Sequence, residues 1–402
     1  MLLLKCSLKK RYSFDTGSRI TGSPAIYSYG HDCLIVACTQ SGDVIALDQN
    51  LRKLWHVKLK CVMSLEQKFF FEGDSFSSIL EMPAVDDING DGFPEVVFGA
   101  NNCVLHCLSH KGKLLWKYNS RAPIRTVPLV LNHKSKKEIV FANTQGRLIF
   151  LDSRGRLLRT FNANSGIESS PTLLEREQDV CIVFGSNSGR VYCVSTDGDE
   201  IWHHDTKSKV AAQPAVGHLE GDKRLFVVVG TSLGRLFVLT SHGSPAWSFA
   251  CGPIIAKPCL FDINNDGKLE IIFGSCDQNV YALSSSGAKV WTFRTDGWVN
   301  SSPIAADINR DGSPEIIVGT SDGTLYTLNS EGRFLMNYIP GVSSFLQQAG
   351  HYTDAITSDI GECDTKQLGS LKFGSMIAGT ASFDSRIVVN TTDGVVSEVI
   401  FS

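Results

Sequence analysis

Short apolar runs, each introduced by a turn, recur along the whole chain: GDVIAL (42–47), NCVLHCL (102–108), GRLIFL (146–151), GRVYCV (189–194), GRLFVL (234–239), QNVYAL (278–283), GTLYTL (323–328) and GVVSEV (394–399). Between the equivalent residues Val44, Val104, Leu148, Val191, Leu236, Val280, Leu325 and Val396 the steps are 60, 44, 43, 45, 44, 45 and 71 residues, a period near 44 with two long intervals. The seventh period shows its parts most clearly, as SPIAADI, EIIVGT, TLYTLN and RFLMNY separated by NRDG, SDG and SEG. Alternating apolar segments broken by Asp/Asn-Gly turns are hairpin signals. Four such strands in a period of roughly 40–50 residues form one propeller blade, which cannot bury both its faces without neighbours. The expectation is an all-β fold, a single eight-bladed β-propeller of four-stranded blades filling residues 1–402.

The two ends complement each other. The eighth unit stops at Ser402 after a third strand, and the chain begins with a segment whose Tyr12 aligns with the fourth-strand aromatics Trp55, Trp116, Phe161, Trp202, Trp247, Trp291 and Tyr338. The N-terminal strand is therefore expected to close the last blade. The recurring aromatics are expected to pack between blades, since a position repeated in every unit is not one special site.

The long steps place insertions at about 61–81 and 343–372, each expected between a fourth strand and the next first strand, and so on one face, where the chain enters each blade. Long insertions in compact domains often carry function. Phe69, Phe70 and Phe71 in the first would be costly to expose, and they form the candidate contact patch for a protein or small-ligand partner on that face.

Composition narrows the partners. The formal net charge is −3 with both signs mixed along the chain, which argues against nucleic acid. The start MLLLKCSLKKRYSF lacks the apolar core of a secretory signal or membrane span, so no membrane insertion is expected and a cytoplasmic site is favoured over an extracytoplasmic or secreted one. Most of the 12 cysteines stand singly in apolar runs and read as reduced core residues. Both sequons, at Asn300 and Asn390, fall inside repeat-core segments unsuited to a glycan. A monomer is expected.

The sharpest chemistry is a nine-residue pattern, D-x-N-x-D-G-x-x-E, in DINGDGFPEVVFG (87–99), DINNDGKLEIIFG (262–274) and DINRDGSPEIIVG (307–319). Asp87, Asn89, Asp91 and Glu95, then Asp262, Asn264, Asp266 and Glu270, then Asp307, Asn309, Asp311 and Glu315 cluster the hard oxygen donors that Ca²⁺ requires, and the Gly permits a sharp turn. The last acid stands at position 9 between strands, so this is no EF-hand. The fifth unit has His218, Glu220 and Asp222 but Phe226 at the last place, and the third keeps Glu138 alone; both are expected to be empty.

Units such as WSFACGPIIAKP, WTFRTDGWVNSSP and WHHDTKSKVAAQP resemble the pyrroloquinoline-quinone-type propeller repeat over nearly the whole chain, a family that spans dehydrogenases, outer-membrane assembly scaffolds and appended domains. The three acidic loops resemble the FG-GAP or VCBS calcium loops of integrin-type propellers. That resemblance implies up to three Ca²⁺ and adds backbone carbonyls at Phe93, Lys268 and Ser313 to the ligand sets. Quinone enzymes of the first family carry a vicinal cysteine pair; no two cysteines here are adjacent, and no pyrroloquinoline quinone is expected.

Catalytic candidates are few. Cys103 and Cys107 should face away from His106 on a strand, and His203 and His204 should lie at a blade edge. The reading is a non-catalytic, calcium-binding scaffold for a protein or ligand. The alternatives are a quinone- or sugar-handling enzyme with its site in the central funnel, and an extracellular adhesion module.

Overall fold

Each apolar run becomes the third strand of a four-stranded antiparallel sheet, and eight such sheets form a ring. The computed structural model describes residues 8–30, 32–59, 77–308, 311–334, 370–373, 375–383 and 386–401. In blade 1 the strands are Ala25–Tyr29, Asp32–Cys38, Asp43–Leu47 and Lys53–Lys58, paired in that order. Blades 2 to 6 repeat the order within 84–119, 129–162, 172–205, 215–250 and 259–294.

Burial along each strand follows from its place in the stack. Second and third strands are covered by neighbouring blades on both faces, so Asp43–Leu47 and Glu95–Gly99 are buried at every position. Fourth strands have one free face, and Lys53–Lys58, Leu114–Asn119 and Lys289–Arg294 all alternate exposed with half-buried. The buried residues fall into clusters that each span two adjacent blades. One joins Ile35 and Leu47 of blade 1 to Val388 and Val396 of blade 8, so the ring is closed by the same apolar contact that builds it. At roughly 25 cal/mol per Å² of apolar surface removed from water, these interfaces are the main stabilising term.

Blade 8 closes as the chain ends suggest. Its three C-terminal strands are joined by Leu8–Asp15, which pairs antiparallel with Val395–Phe401, and Tyr12 stands opposite Glu398 as Trp55 stands opposite Ala46.

The fourth-strand tryptophans do pack between blades. Trp55 Nε1 donates to the His110 carbonyl at 2.7 Å, and its ring covers Gly112, where an added Cβ would meet a ring carbon at 2.8 Å. Trp116, Trp202, Trp247 and Trp291 repeat the bond to the carbonyls of Ser153, Ser241, Ser285 and Ser330, each at 3.0 Å. Blade 3 departs from the expected alignment: opposite Phe150, where blades 1, 2, 4, 5 and 6 place Trp, stands Arg159, and Phe161 lies two residues on, opposite Leu148. The Arg159 guanidinium sits 4.3 Å over the Phe150 ring and pairs with Glu138 at 2.5 Å, so it supplies both the flat surface and a counter-charge.

The insertions differ from their expected bounds. The first is narrower than 61–81, because the chain already rejoins the repeat at Ser77: Ile79 donates its N–H to the Thr39 carbonyl as Ile124 does to Ala100. The second ends before 372. Phe334 bridges to Leu328 and Ser370–Lys372 pairs with Thr324–Leu328, so Ser370, Leu371 and Lys372, expected inside the insertion, belong to the fourth strand of blade 7. Tyr338 and the Phe69–Phe71 patch lie outside the described residues.

Candidate functional site

First strands line the centre of the ring, neighbouring one another from blade 1 to blade 3 and from blade 4 through blade 8 back to blade 1. Connections from a fourth to a first strand share what is here called the upper face with the second-to-third turns. The acidic loops, joining first to second strands, lie on the lower face.

In the first acidic loop the Asp87 carboxylate accepts backbone N–H groups from Gly90 (2.7 Å), Asp91 (3.1 Å) and Gly92 (2.9 Å). Asn89 Oδ1 accepts from Asp91 N, and Asp91 Oδ1 accepts from Phe93 N. Glu95, almost wholly buried at the start of its strand, accepts from Ile88 N at 2.9 Å and Asn89 N at 3.2 Å. The second and third loops repeat these bonds with Asp262, Asn264, Asp266 and Glu270, and with Asp307, Asp311 and Glu315. Asn309 lies outside the described residues. Burial raises Glu95 and Glu270 above the usual carboxylate range, against the backbone N–H groups that stabilise their charge.

These oxygens suit a hard cation by chemistry. Asn89 Nδ2 donates at once to Asp91 (3.1 Å) and Glu95 (2.9 Å), so oxygens from both acids converge on the Asn89 amide, and Asn264 is placed alike against Asp266 and Glu270 at 3.4 Å each. Turning the amide over would add its oxygen to theirs. Among the described residues no three His, Cys, Asp or Glu side chains stand close enough to hold a metal by themselves. The carbonyls of Phe93, Lys268 and Ser313 lie two residues past Asp91, Asp266 and Asp311.

The blade 5 loop is neutralised from within. Arg224, the counterpart of Phe93, donates to Asp222 at 2.7 Å and to Glu220 at 2.5 Å. In blade 3 Glu138 is paired with Arg159. Neither arginine is recognisable as a counter-ion until the loops are aligned by position.

The upper face carries what the repeat pattern alone did not single out. Leu233 is 80% exposed, Trp298 57% and Ile255 45%, on loops of blades 5 to 7. Hydrogen bonds tie these loops to their neighbours: Ile254 N to Thr231 O, Val299 N to Ser275 O and Ser321 N to Trp298 O. Leu233 precedes its turn glycine where other blades place Ser41, Gln145, Ser188, Asp322 and Asp393, a contrast that aligning the repeats makes legible. On the same face Glu168 bridges Arg125 (3.3 Å) and Lys209. Glu81 lies in their field; burial, with the negative Glu168 adding to it, pushes its carboxyl up to about 7.

A cavity of about 560 Å³ opens at the centre against the first strands of blades 4 to 7, with Lys257 and Ser302 on its wall. The cysteine and histidine candidates prove to be packing groups. Cys107 is buried, Cys103 sits in the turn with φ +67°, and His106 stacks on Phe98 at 5.2 Å. His203 bonds Glu200 on the outermost strand, and His204 lies against Phe237. All described cysteines are unpaired. Asn300 and Asn390 donate inward, to the Ile377 and Gly22 carbonyls.

Comparison with known proteins agrees with the ring. The lambda-carrageenase β-propeller domain family matches residues 34–171, and the FG-GAP-like repeat matches residues 262–318, which contain the second and third acidic loops. No curated protein matches the sequence. Among solved structures, BamB from Moraxella catarrhalis is similar with a TM-score of 0.68 at 15% identity, over 98% of this chain and 100% of that one. Sqt1 from Saccharomyces cerevisiae has a TM-score of 0.68 at 10% identity over 98% and 99%. BBS1N, in a complex with ARL6DN, has 0.54 at 12% over 80% and 92%. At these identities the likeness is one of fold.

Proposed function

We propose that this protein is a non-catalytic β-propeller scaffold that binds a polypeptide partner through the upper loops of blades 5 to 7, with Ca²⁺ bracing the lower loops of blades 2, 6 and 7. The observation that carries the first half is the exposure of Leu233, Ile255 and Trp298 on one face, at positions the fold does not need to be apolar. Large exposed apolar side chains gathered on one face favour association, and Trp is over-represented where partners are anchored. The flanking Arg125, Glu168 and Lys209 supply the polar rim that such a patch requires. A propeller of similar fold, BBS1N, forms a crystalline complex with another protein, ARL6DN, which supports such a role for this architecture.

The second half rests on the repeated oxygen donors of the acidic loops and on the internal arginine of blade 5. A bound Ca²⁺ would supply charge neutralisation and cross-link each loop; Asp87, Asn89, Asp91, Glu95 and the Phe93 carbonyl would hold it in blade 2, with their counterparts in blades 6 and 7.

The test is affinity capture with the full chain, its Leu233→Ser/Ile255→Ser/Trp298→Ser variant and a lower-face control, Leu157→Ser, all with matching melting temperatures. Partners retained by the control and lost by the triple variant support the reading. Equal capture by all three proteins overturns it.

A further inference from the structure

Lys257 is the lysine on the wall of the central cavity. It precedes the first strand of blade 6, Cys259–Phe261, and among the described residues no carboxylate lies within ion-pair distance of its amine. Its backbone N–H donates to Ser302 Oγ at 3.2 Å, which locks the two residues side by side. Because that oxygen accepts, the Ser302 hydroxyl proton is free to point elsewhere, and it has no acceptor among the described residues. Burial lowers the Lys257 pKa below the usual lysine range, with only Cys259 opposing it.

We infer that the central cavity is a binding site for a small molecule with one anionic group, carboxylate or phosphate, held between the Lys257 ammonium and the Ser302 hydroxyl. Leu173, Val216 and Leu260 supply apolar surface on a mixed wall that also carries Thr172 and His218, and the volume of about 560 Å³ lies within the range of small-ligand pockets. Glu175 stands on the same cavity and disfavours a second anionic group elsewhere on the ligand. An unpaired ammonium in a partly desolvated wall is costly by itself, and an anion that pairs with it recovers that cost. The site is separate from the loop patch on the upper face and does not depend on it.

Pyridoxal 5′-phosphate is the reporter: its aldehyde condenses with an unprotonated amine to an imine and water, and borohydride then reduces the C=N bond to a stable secondary amine. The full chain is labelled at neutral pH and the modified lysines are mapped by mass spectrometry, with and without millimolar octanoate, a carboxylate with an apolar body. The expected result is that Lys257 labels faster than the exposed Lys53, since a lowered pKa leaves more free amine at neutral pH. Octanoate should slow labelling at Lys257 at least fivefold and leave Lys53 unaffected, and Ser302→Ala should weaken that protection. Labelling of Lys257 at the rate of Lys53 overturns the proposal, and so does fast labelling that octanoate fails to slow.

Discussion

Arg224 donates its Nε to the Asp222 carboxylate at 2.7 Å, inside a loop that aligns with the acidic loops of blades 2, 6 and 7. Where the repeat has lost its last acid to Phe226, the chain has supplied its own cation. The intact loops are expected to take theirs from solution. Isothermal titration should find one Ca²⁺ per intact loop, and Asp87→Ala, Asp262→Ala and Asp307→Ala should each remove one equivalent. At a hundredfold excess over the dissociation constant each site adds about 2.7 kcal/mol. A melting temperature indifferent to chelation would refute calcium binding.

Trp247 and Trp298 are predicted to behave oppositely. Trp247→Leu loses the bond to Ser285 and leaves a void over Gly287, at a cost of ~2–4 kcal/mol by urea unfolding. Gly287→Ala should also destabilise, because a Cβ would meet the Trp247 ring at 2.9 Å and φ is +87°. Trp298→Ser, at an exposed site, should change stability by less than ~0.5 kcal/mol.

His106 is buried neutral, its pKa depressed by burial to about 4, with Nδ1 unpartnered. Between the unfolded value near 6.5 and about 4 the unfolded chain binds more protons than the folded one, so this residue makes stability fall as pH falls across that window. The effect reaches up to roughly 3 kcal/mol. His106→Phe should flatten the decline, read from urea midpoints between pH 7 and 4; an unchanged slope would count against it.

Asp43 acts in the same direction at lower pH, from a different cause. Burial raises its pKa, but hydrogen bonds from Lys58, Ser41 and His56 outweigh burial and hold it below the ordinary value. Its stabilisation is present above the unfolded pKa of about 3.9 and is lost as pH falls through the lower folded value. Asp43→Asn should therefore be less stable than wild type at pH 7, with the gap narrowing as the pH falls below about 3.9.

The period of about 44 residues, the alternation within it and the matching chain ends were enough to specify eight blades and their closure, because an apolar strand buried on both faces has no other place to go. The acidic loops were legible for the same reason: their ligand spacing is local, set within nine residues. Phe161 was misplaced against the tryptophans because aromatic character alone cannot show a register, whereas the ladder puts Arg159 opposite Phe150. The end of the second insertion was misread because the three residues Ser370–Lys372 are too short a run to show as a strand without the ladder they join.

What the sequence determined by itself was the repeat, since each blade is encoded in contiguous residues. Only the tertiary structure decided the sites. Arg159 meets Glu138 across two strands, Leu233, Ile255 and Trp298 come to one face from three loops, and Lys257 meets Ser302 across 45 residues. The ring closes through space, and charge pairing, exposure and cavity walls are properties of that closure.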